Sequence, residues 1–88
     1  MRQRGRVLKG GAVVAPLVDV DLRITQVSQG LKNCSGSFRV PWSVTISQER
    51  YTLELDDGSR WTFDALPYQD STDPNGYEVR FDGAVPAP

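Results

Sequence analysis

The sequence contains no histidine, and this absence excludes several kinds of chemistry. Catalytic triads of the usual kind use an imidazole as general base, and many zinc sites use it as a ligand. Cys34 is the single cysteine, so an intrachain disulfide is excluded as well. We therefore predict a protein that is not an enzyme and that uses no cofactor and no metal ion.

Long hydrophobic runs are also missing. A membrane-spanning helix needs about 20 consecutive apolar residues, and no stretch of this chain approaches that length. The segment VLKGGAVVAPLV, residues 7–18, is interrupted by Lys9 and two glycines, which breaks the apolar core that a signal peptide requires. Since secreted domains of this size usually depend on disulfides, we expect a cytoplasmic protein without a membrane partner.

The charges are unevenly distributed along the 88 residues, which we expect to form a single small β domain, 1–88. Four of the ten basic residues precede the first acidic one, and the rest of the chain carries six basic and eleven acidic residues, a net of −5. The four are Arg2, Arg4, Arg6 and Lys9. We predict that residues 1–10 form a basic arm or edge strand, which either contacts phosphates or lies against its own acidic domain.

Apolar and polar residues alternate in five segments, which is typical of strands with one buried face. The alternating apolar residues are Val18, Val20, Leu22 and Ile24; Phe38, Val40, Trp42, Val44 and Ile46; Tyr51, Leu53 and Leu55; Trp61, Phe63 and Ala65; and Tyr77, Val79 and Phe81. No helical periodicity is convincing, and at most one short helical turn fits, near VSQGLKN at 27–33. The sequence therefore predicts an all-β protein.

The segment YTLELDDGSRWTF, residues 51–63, predicts a hairpin with a defined register. Because apolar residues on both sides of DDG are odd-numbered, the loop must contain an odd number of residues. A three-residue turn, Asp56-Asp57-Gly58 with a left-handed glycine, satisfies this condition. The predicted pairs are Leu55 with Ser59, Glu54 with Arg60, Leu53 with Trp61, Tyr51 with Phe63 and Arg50 with Asp64.

The same parity argument extends the hairpin to a C-terminal four-stranded meander over residues 38–81. A four-residue loop, 47–50, would pair Ile46 with Tyr51, and the long connection 66–76 would pair Ala65 with Val79. The meander's apolar face needs a cover, which a strand over 17–27 and a short strand at 6–9 or 12–15 can supply. We predict a small antiparallel barrel or sandwich of five to six strands, followed by a flexible tail at 83–88.

Three groups of acidic residues are candidates for metal or acid–base chemistry. Asp56 and Asp57 occupy a turn, and residues 71–82 partly match the calcium-binding loop of an EF-hand. Asp19 and Asp21 lie about 7 Å apart on one strand face. Turn geometry and a solvated strand face explain all three groups, and the alternative is a small metal-dependent enzyme centred on Asp19 and Asp21.

Tyr68 is the one aromatic residue outside the alternating pattern, and it follows Leu66 and Pro67 in the long 66–76 connection. We predict that these three residues form an exposed contact for a protein partner, or alternatively a lid over the barrel end. The predicted function is a non-enzymatic interaction or assembly module that binds a protein partner or forms a homo-oligomer. The alternative is a nucleic-acid-binding barrel that uses Arg2, Arg4, Arg6 and Lys9.

Overall fold

The structure is a computed structural model that describes residues 2–28, 30–70 and 72–87. That part of the chain contains seven β-strands and no helix, so it has no helix that could cross a membrane. The strands are β1 (Arg2–Lys9), β2 (Ala12–Ser28), β3 (Leu31–Val40), β4 (Arg50–Leu55), β5 (Arg60–Asp64), β6 (Leu66–Tyr68) and β7 (Tyr77–Pro86). The predicted helical turn near 27–33 is wrong, because β2 and β3 meet there in a hairpin whose turn contains Gly30 at φ +79°.

Six of the strands close into an antiparallel barrel in the order β1-β2-β3-β7-β5-β4, with β4 returning to β1. The short strand β6 continues along the edge of β7 where β5 leaves it, and it adds a seventh strand to the sheet. The prediction of an all-β, small antiparallel barrel is confirmed. Closure explains how the chain buries a sheet face without a helix, since the sheet covers itself.

Aromatic rings fill the centre of the barrel. Phe63 on β5 is buried and contacts Phe38, Tyr51 and Phe81, with ring centroids 5.9, 6.0 and 5.0 Å away. The contact with Phe38 is edge-to-face, a favoured geometry for aromatic pairs. These rings come from four strands, so the core links parts of the chain that are distant in sequence.

The predicted β4–β5 hairpin is confirmed in its register. Leu53 pairs with Trp61 and Tyr51 with Phe63, as parity requires. Gly58 has φ +89°, and its N–H donates a 2.9 Å hydrogen bond to the carbonyl of Leu55. The predicted charge pairs are present too: Arg50 to Asp64 at 3.0 Å and Arg60 to Glu54 at 3.4 Å.

The predicted pairing of Ile46 with Tyr51 is wrong. Strand β3 ends at Val40 and lies between β2 and β7, whereas β4 lies between β1 and β5. Pro41, which has no N–H to donate, follows β3 directly and ends the ladder. Three strands of the predicted meander are thus consecutive neighbours, in the order β4-β5-β7. The fourth, β3, pairs with β7 and not with β4.

Residues 41–49 form a loop whose hydrogen bonds include two to the hydroxyl of Tyr77 and one to that of Tyr51. The Tyr77 hydroxyl donates to the carbonyl of Val44 at 2.6 Å and accepts the N–H of Ile46 at 2.9 Å. Ile46 is buried, so its apolar character, which fits a strand pattern, reflects loop packing. Trp42, assigned to the core face by the pattern, is 41% exposed, and its indole N–H donates to the carbonyl of Asp73.

The register predicted after β5 is also wrong, by two residues. Pro67 pairs with Val79, where Ala65 was expected, because β6 extends the ladder into the predicted loop 66–76. Ala65 leaves the ladder, and its N–H donates to the carbonyl of Glu49 at 2.9 Å. A two-residue shift keeps the same side chains on the same face, so alternation alone cannot detect it.

Both predicted terminal segments are strands. Residues 2–9 pair with β2 on one side and β4 on the other, so the expected basic arm or edge strand is an interior strand of the barrel. Strand β7 runs to Pro86, and the N–H of Ala87 donates to the carbonyl of Arg60 at 2.8 Å. The flexible tail predicted for 83–88 is therefore wrong over 83–87, and Pro88 lies outside the described residues.

Candidate interaction surface

The three residues predicted to contact a partner form β6 itself. Leu66 and Tyr68 are 39% and 51% exposed, and the Pro67 side chain between them is half-buried. The guanidinium of Arg80 on β7 lies 4.4 Å from the centroid of the Tyr68 ring. The aromatic ring is therefore held against the sheet by a cation while much of it faces solvent.

An open groove of about 740 Å³ runs along the outer face of the sheet beside β6. Strand β3 contributes three small residues to its lining, Ser35, Gly36 and Ser37. Leu66 and Tyr68 line one side, and β2 lines the other. The groove thus combines two exposed apolar side chains with two serines on a rigid sheet.

Gly36 is required at the floor of the groove. A Cβ on this residue would lie 2.1 Å from the carbonyl oxygen of Asp21, which is too close for any side chain. The absence of a side chain lets β2 and β3 approach each other where the sheet bends into the barrel. The same Cβ would lie 3.2 Å from the buried ring of Phe81, so the glycine serves barrel closure and the packing of the core.

Charges of both signs line the groove and its continuation. Arg23, Arg80, Asp21 and Asp82 lie along the first part, and a second groove of about 460 Å³ continues from Asp21 and Ser37. The charged residues of this second part include Arg2, Asp19, Arg39 and Glu78. Arg80 is paired with Glu78, and this contact raises the pKa of the arginine. The whole surface suits a ligand that carries both charges, such as a protein segment.

The basic residues of β1 largely contact acids of their own barrel. Arg6 lies 2.7 Å from Glu54, and Arg4 lies 3.6 Å from Asp19. Lys9 lies 3.4 Å from Glu49. Arg2 lines the second groove. Lys9 also lies over the ring of Tyr51, 5.2 Å from its centroid, at the end of the barrel. Three of the four basic residues, Arg4, Arg6 and Lys9, are therefore engaged in ion pairs.

The acidic turns are stabilised by their own backbones. Asp57 accepts hydrogen bonds from the N–H and the hydroxyl of Ser59 at 2.8 and 2.6 Å, and these bonds lower its pKa. Asp70 accepts the equivalent pair from Thr72, with the same effect on its pKa. Asp73 accepts the N–H of Asn75 at 2.9 Å. This is the expected chemistry of aspartate in turns.

None of the three acidic candidates gains a metal-ligand set from the described part of the chain. Within residues 2–28, 30–70 and 72–87, no three acidic or cysteine side chains lie close enough together to hold a metal ion. Asp19 faces Arg4 on the neighbouring strand. Ser71, the first residue of the segment that resembles an EF-hand loop, lies outside the described residues.

Cys34 lies at the point where β2 and β3 leave the barrel. Its side chain is buried, and this burial raises the pKa of the thiol to about 11. The thiol is therefore protonated at neutral pH and is a poor nucleophile. It packs as a small apolar side chain against the core.

The sequence-based predictions missed the two-stranded hairpin that β2 and β3 form beyond Cys34. We call residues 22–33 the ribbon. Ile24 on the ribbon is 45% exposed, although its place in the alternating pattern assigns it to the core. One feature of the sequence sets this segment apart from the rest of the chain. No acidic residue occurs between Asp21 and Glu49, and the segment carries three basic residues.

Comparison with known proteins finds no family model that matches the chain, no similar curated protein and no similar solved structure. A small barrel alone does not indicate a function. The groove, β6 and the ribbon are therefore the features of the molecule that bear on its function.

Proposed function

We propose that the protein is a non-enzymatic interaction module that binds a segment of a protein partner in the groove beside β6. The observation that carries this proposal is the exposure of Leu66 and Tyr68 at the side of a groove of about 740 Å³. Large apolar side chains that border a concave surface are frequent anchors of protein interfaces, with tyrosine prominent among them.

The polar residues of the groove support an extended segment as the ligand. Ser35 and Ser37 are neighbours along one strand face, and their hydroxyl groups can both donate and accept hydrogen bonds. Arg23 and Asp82 offer opposite charges on the two sides of the serines. A segment with an apolar side chain over Tyr68 and charged residues beside it would match this arrangement.

Strand addition at the edge of β6 is less suitable than binding on its face. Pro67 has no N–H, so the edge lacks a donor that a ladder would use, and proline on an edge strand commonly blocks pairing. The groove presents side chains instead of backbone groups. We therefore place the contact on the face that carries Leu66 and Tyr68.

The nucleic-acid alternative has weaker support. Arg4, Arg6 and Lys9 already contact acidic groups of the barrel, and a phosphate backbone would have to compete with those contacts. If this alternative holds, retention on heparin falls steeply with salt. Retention on heparin also weakens when the arginines of β1 are replaced by glutamine.

A displayed library of random twelve-residue peptides tests the proposal on the intact chain. We expect the wild type to enrich peptides that share a sequence pattern, and a variant with both Leu66→Ser and Tyr68→Ser to lose that enrichment. Val85→Ser is a matched control, because Val85 is 49% exposed and lies outside the groove. Enrichment that survives in the double variant, or that never appears with the wild type at a dilution where sedimentation shows a monomer, would contradict the proposal.

A further inference from the structure

Over its described residues from Arg23 to Asn33, the ribbon has two edges without a neighbouring strand. Strand β1 pairs with β2 up to Asp21, and the pairing of β7 with β3 begins at Cys34. From Arg23 to Asn33, the pairings of β2 and β3 in the described part of the chain are only with each other. The longest dimension of the molecule is 43 Å, against 24 and 22 Å for the other two, so the fold is elongated.

Such a hairpin gains little from its own pairing. An isolated two-stranded hairpin is marginally stable in water, and unpaired strand edges readily accept another chain. Ile24 adds an exposed apolar side chain to this segment. The ribbon therefore has the properties of an element that a partner covers.

The charge of the ribbon identifies the kind of partner. Its two charged residues, Arg23 and Lys32, are basic and form no ion pair with the described residues. The remaining 76 residues contain eight basic and eleven acidic groups, a net of −3, since the chain totals are ten and eleven. A second copy of this chain thus offers the complementary charge.

The groove supplies the matching surface on that second copy. Asp82 is exposed and forms no ion pair within the described residues, and it lines the same groove as Leu66 and Tyr68. The groove offers an anion for Lys32 and apolar side chains for Ile24. The charge and the exposed apolar side chain of the ribbon therefore each have a complementary group in the groove.

We propose that two copies form a twofold dimer in which the ribbon of each copy lies in the groove of the other. The groove includes Leu22 and Arg23, which are the root of the ribbon, so donor and acceptor surfaces are continuous. A twofold axis beside this root brings each ribbon to the opposite groove, which makes the contact reciprocal and closed. This inference rests on the proposed function, because it names a second copy as the occupant of the groove.

Sedimentation equilibrium of the full chain over a concentration series tests the dimer. We expect a mass of twice 9.8 kDa for the wild type. Ile24→Asp should raise the dissociation constant by at least about tenfold, since it places a charge at the centre of the contact. Val13→Asp is the matched control: Val13 is also on β2 and is 47% exposed, against 45% for Ile24, but it lies outside both grooves. Circular dichroism checks that each variant is folded.

A charge exchange tests the docking site itself. Lys32→Glu should weaken the dimer, and adding Asp82→Lys should restore most of the affinity, because the two charges then attract again. Failure of this restoration would overturn the placement of the ribbon in the groove. A wild type that stays monomeric, or a dimer that Ile24→Asp leaves intact, would overturn the dimer proposed here. Peptide enrichment that depends on Tyr68 would still support the groove as a binding site in either case.

Discussion

The barrel and the ribbon are made from the same two strands, β2 and β3, yet they are stabilised in different ways. Inside the barrel each of these strands has neighbours on both sides, and Val20 and Phe38, which pair with each other, are almost completely buried. Over the described residues from Arg23 to Asn33 the same strands pair only with each other, and Ile24 is 45% exposed.

The alternating pattern of a strand and the stability of that strand are therefore separate properties. Alternation continues from Val20 through Leu22 to Ile24 without a break, but burial ends where β1 and β7 stop covering the strands. The barrel buries its own sheet face, whereas the described residues of the ribbon beyond Leu22 have no neighbouring strand outside their own hairpin. Variants in the two regions should therefore differ strongly in their effect on folding.

Truncation of the central aromatic side chain should have the largest effect. We expect Phe63→Ala to lower the free energy of unfolding by about 3–5 kcal/mol, because it leaves a cavity among three other rings. Urea unfolding followed by tryptophan fluorescence measures this change. A loss of less than about 1 kcal/mol would mean that the barrel interior is not close-packed around this residue.

Removal of the hydroxyl that holds the 41–49 loop should have the next largest effect. Tyr77→Phe leaves the carbonyl of Val44 and the buried N–H of Ile46 without their partner. We expect a loss of about 1–3 kcal/mol, the cost of unsatisfied buried groups. Tyr68→Phe is the control, since the exposed Tyr68 should give a change within about 0.5 kcal/mol. Equal effects of the two variants would contradict the role of Tyr77 as an anchor.

A smaller effect is expected at the turn of the β4–β5 hairpin. Gly58→Val should destabilise the protein by roughly 1 kcal/mol or more, because φ +89° strains a β-branched residue. Gly58→Asn should cost less, since asparagine tolerates the left-handed region. Thermal unfolding compares the two variants. An unchanged melting temperature for the valine variant would show that the turn is not the three-residue type.

This hairpin also shows how much of the fold could be predicted from the sequence. Its loop is short, so the parity of Tyr51, Leu53, Trp61 and Phe63 leaves only one register compatible with a tight turn. Local constraints of this kind also predicted strands along most of the chain. The all-β class and a sheet that covers itself follow from them, because no helical face is present to cover the sheet, whereas the choice between barrel and sandwich comes from the structure.

Pairings between distant strands could not be predicted in the same way. Alternation specifies which face of a strand is buried, but it is unchanged by a two-residue shift, which is how the partner of Val79 was missed. It also cannot distinguish Ile46, buried by a loop, from a residue in a strand. The groove is harder still to predict from the sequence, because Ser35 and Tyr68 line the same surface only when the barrel closes.

The smallest effect on stability should come from the ribbon. In dilute monomer, Ile24→Ala should change the free energy of unfolding by less than about 0.5 kcal/mol, because the side chain is exposed and the segment has no further strand to pack against. Hydrogen exchange sharpens the contrast: amides at 24–26 and 32–33 should exchange by local opening well before those of β4 and β5. At concentrations where the protein is dimeric, the ribbon amides should become protected while those of β4 and β5 stay unchanged. Ribbon amides as protected in the monomer as those of the barrel would show that the ribbon is stable alone, and its need for a partner would then disappear.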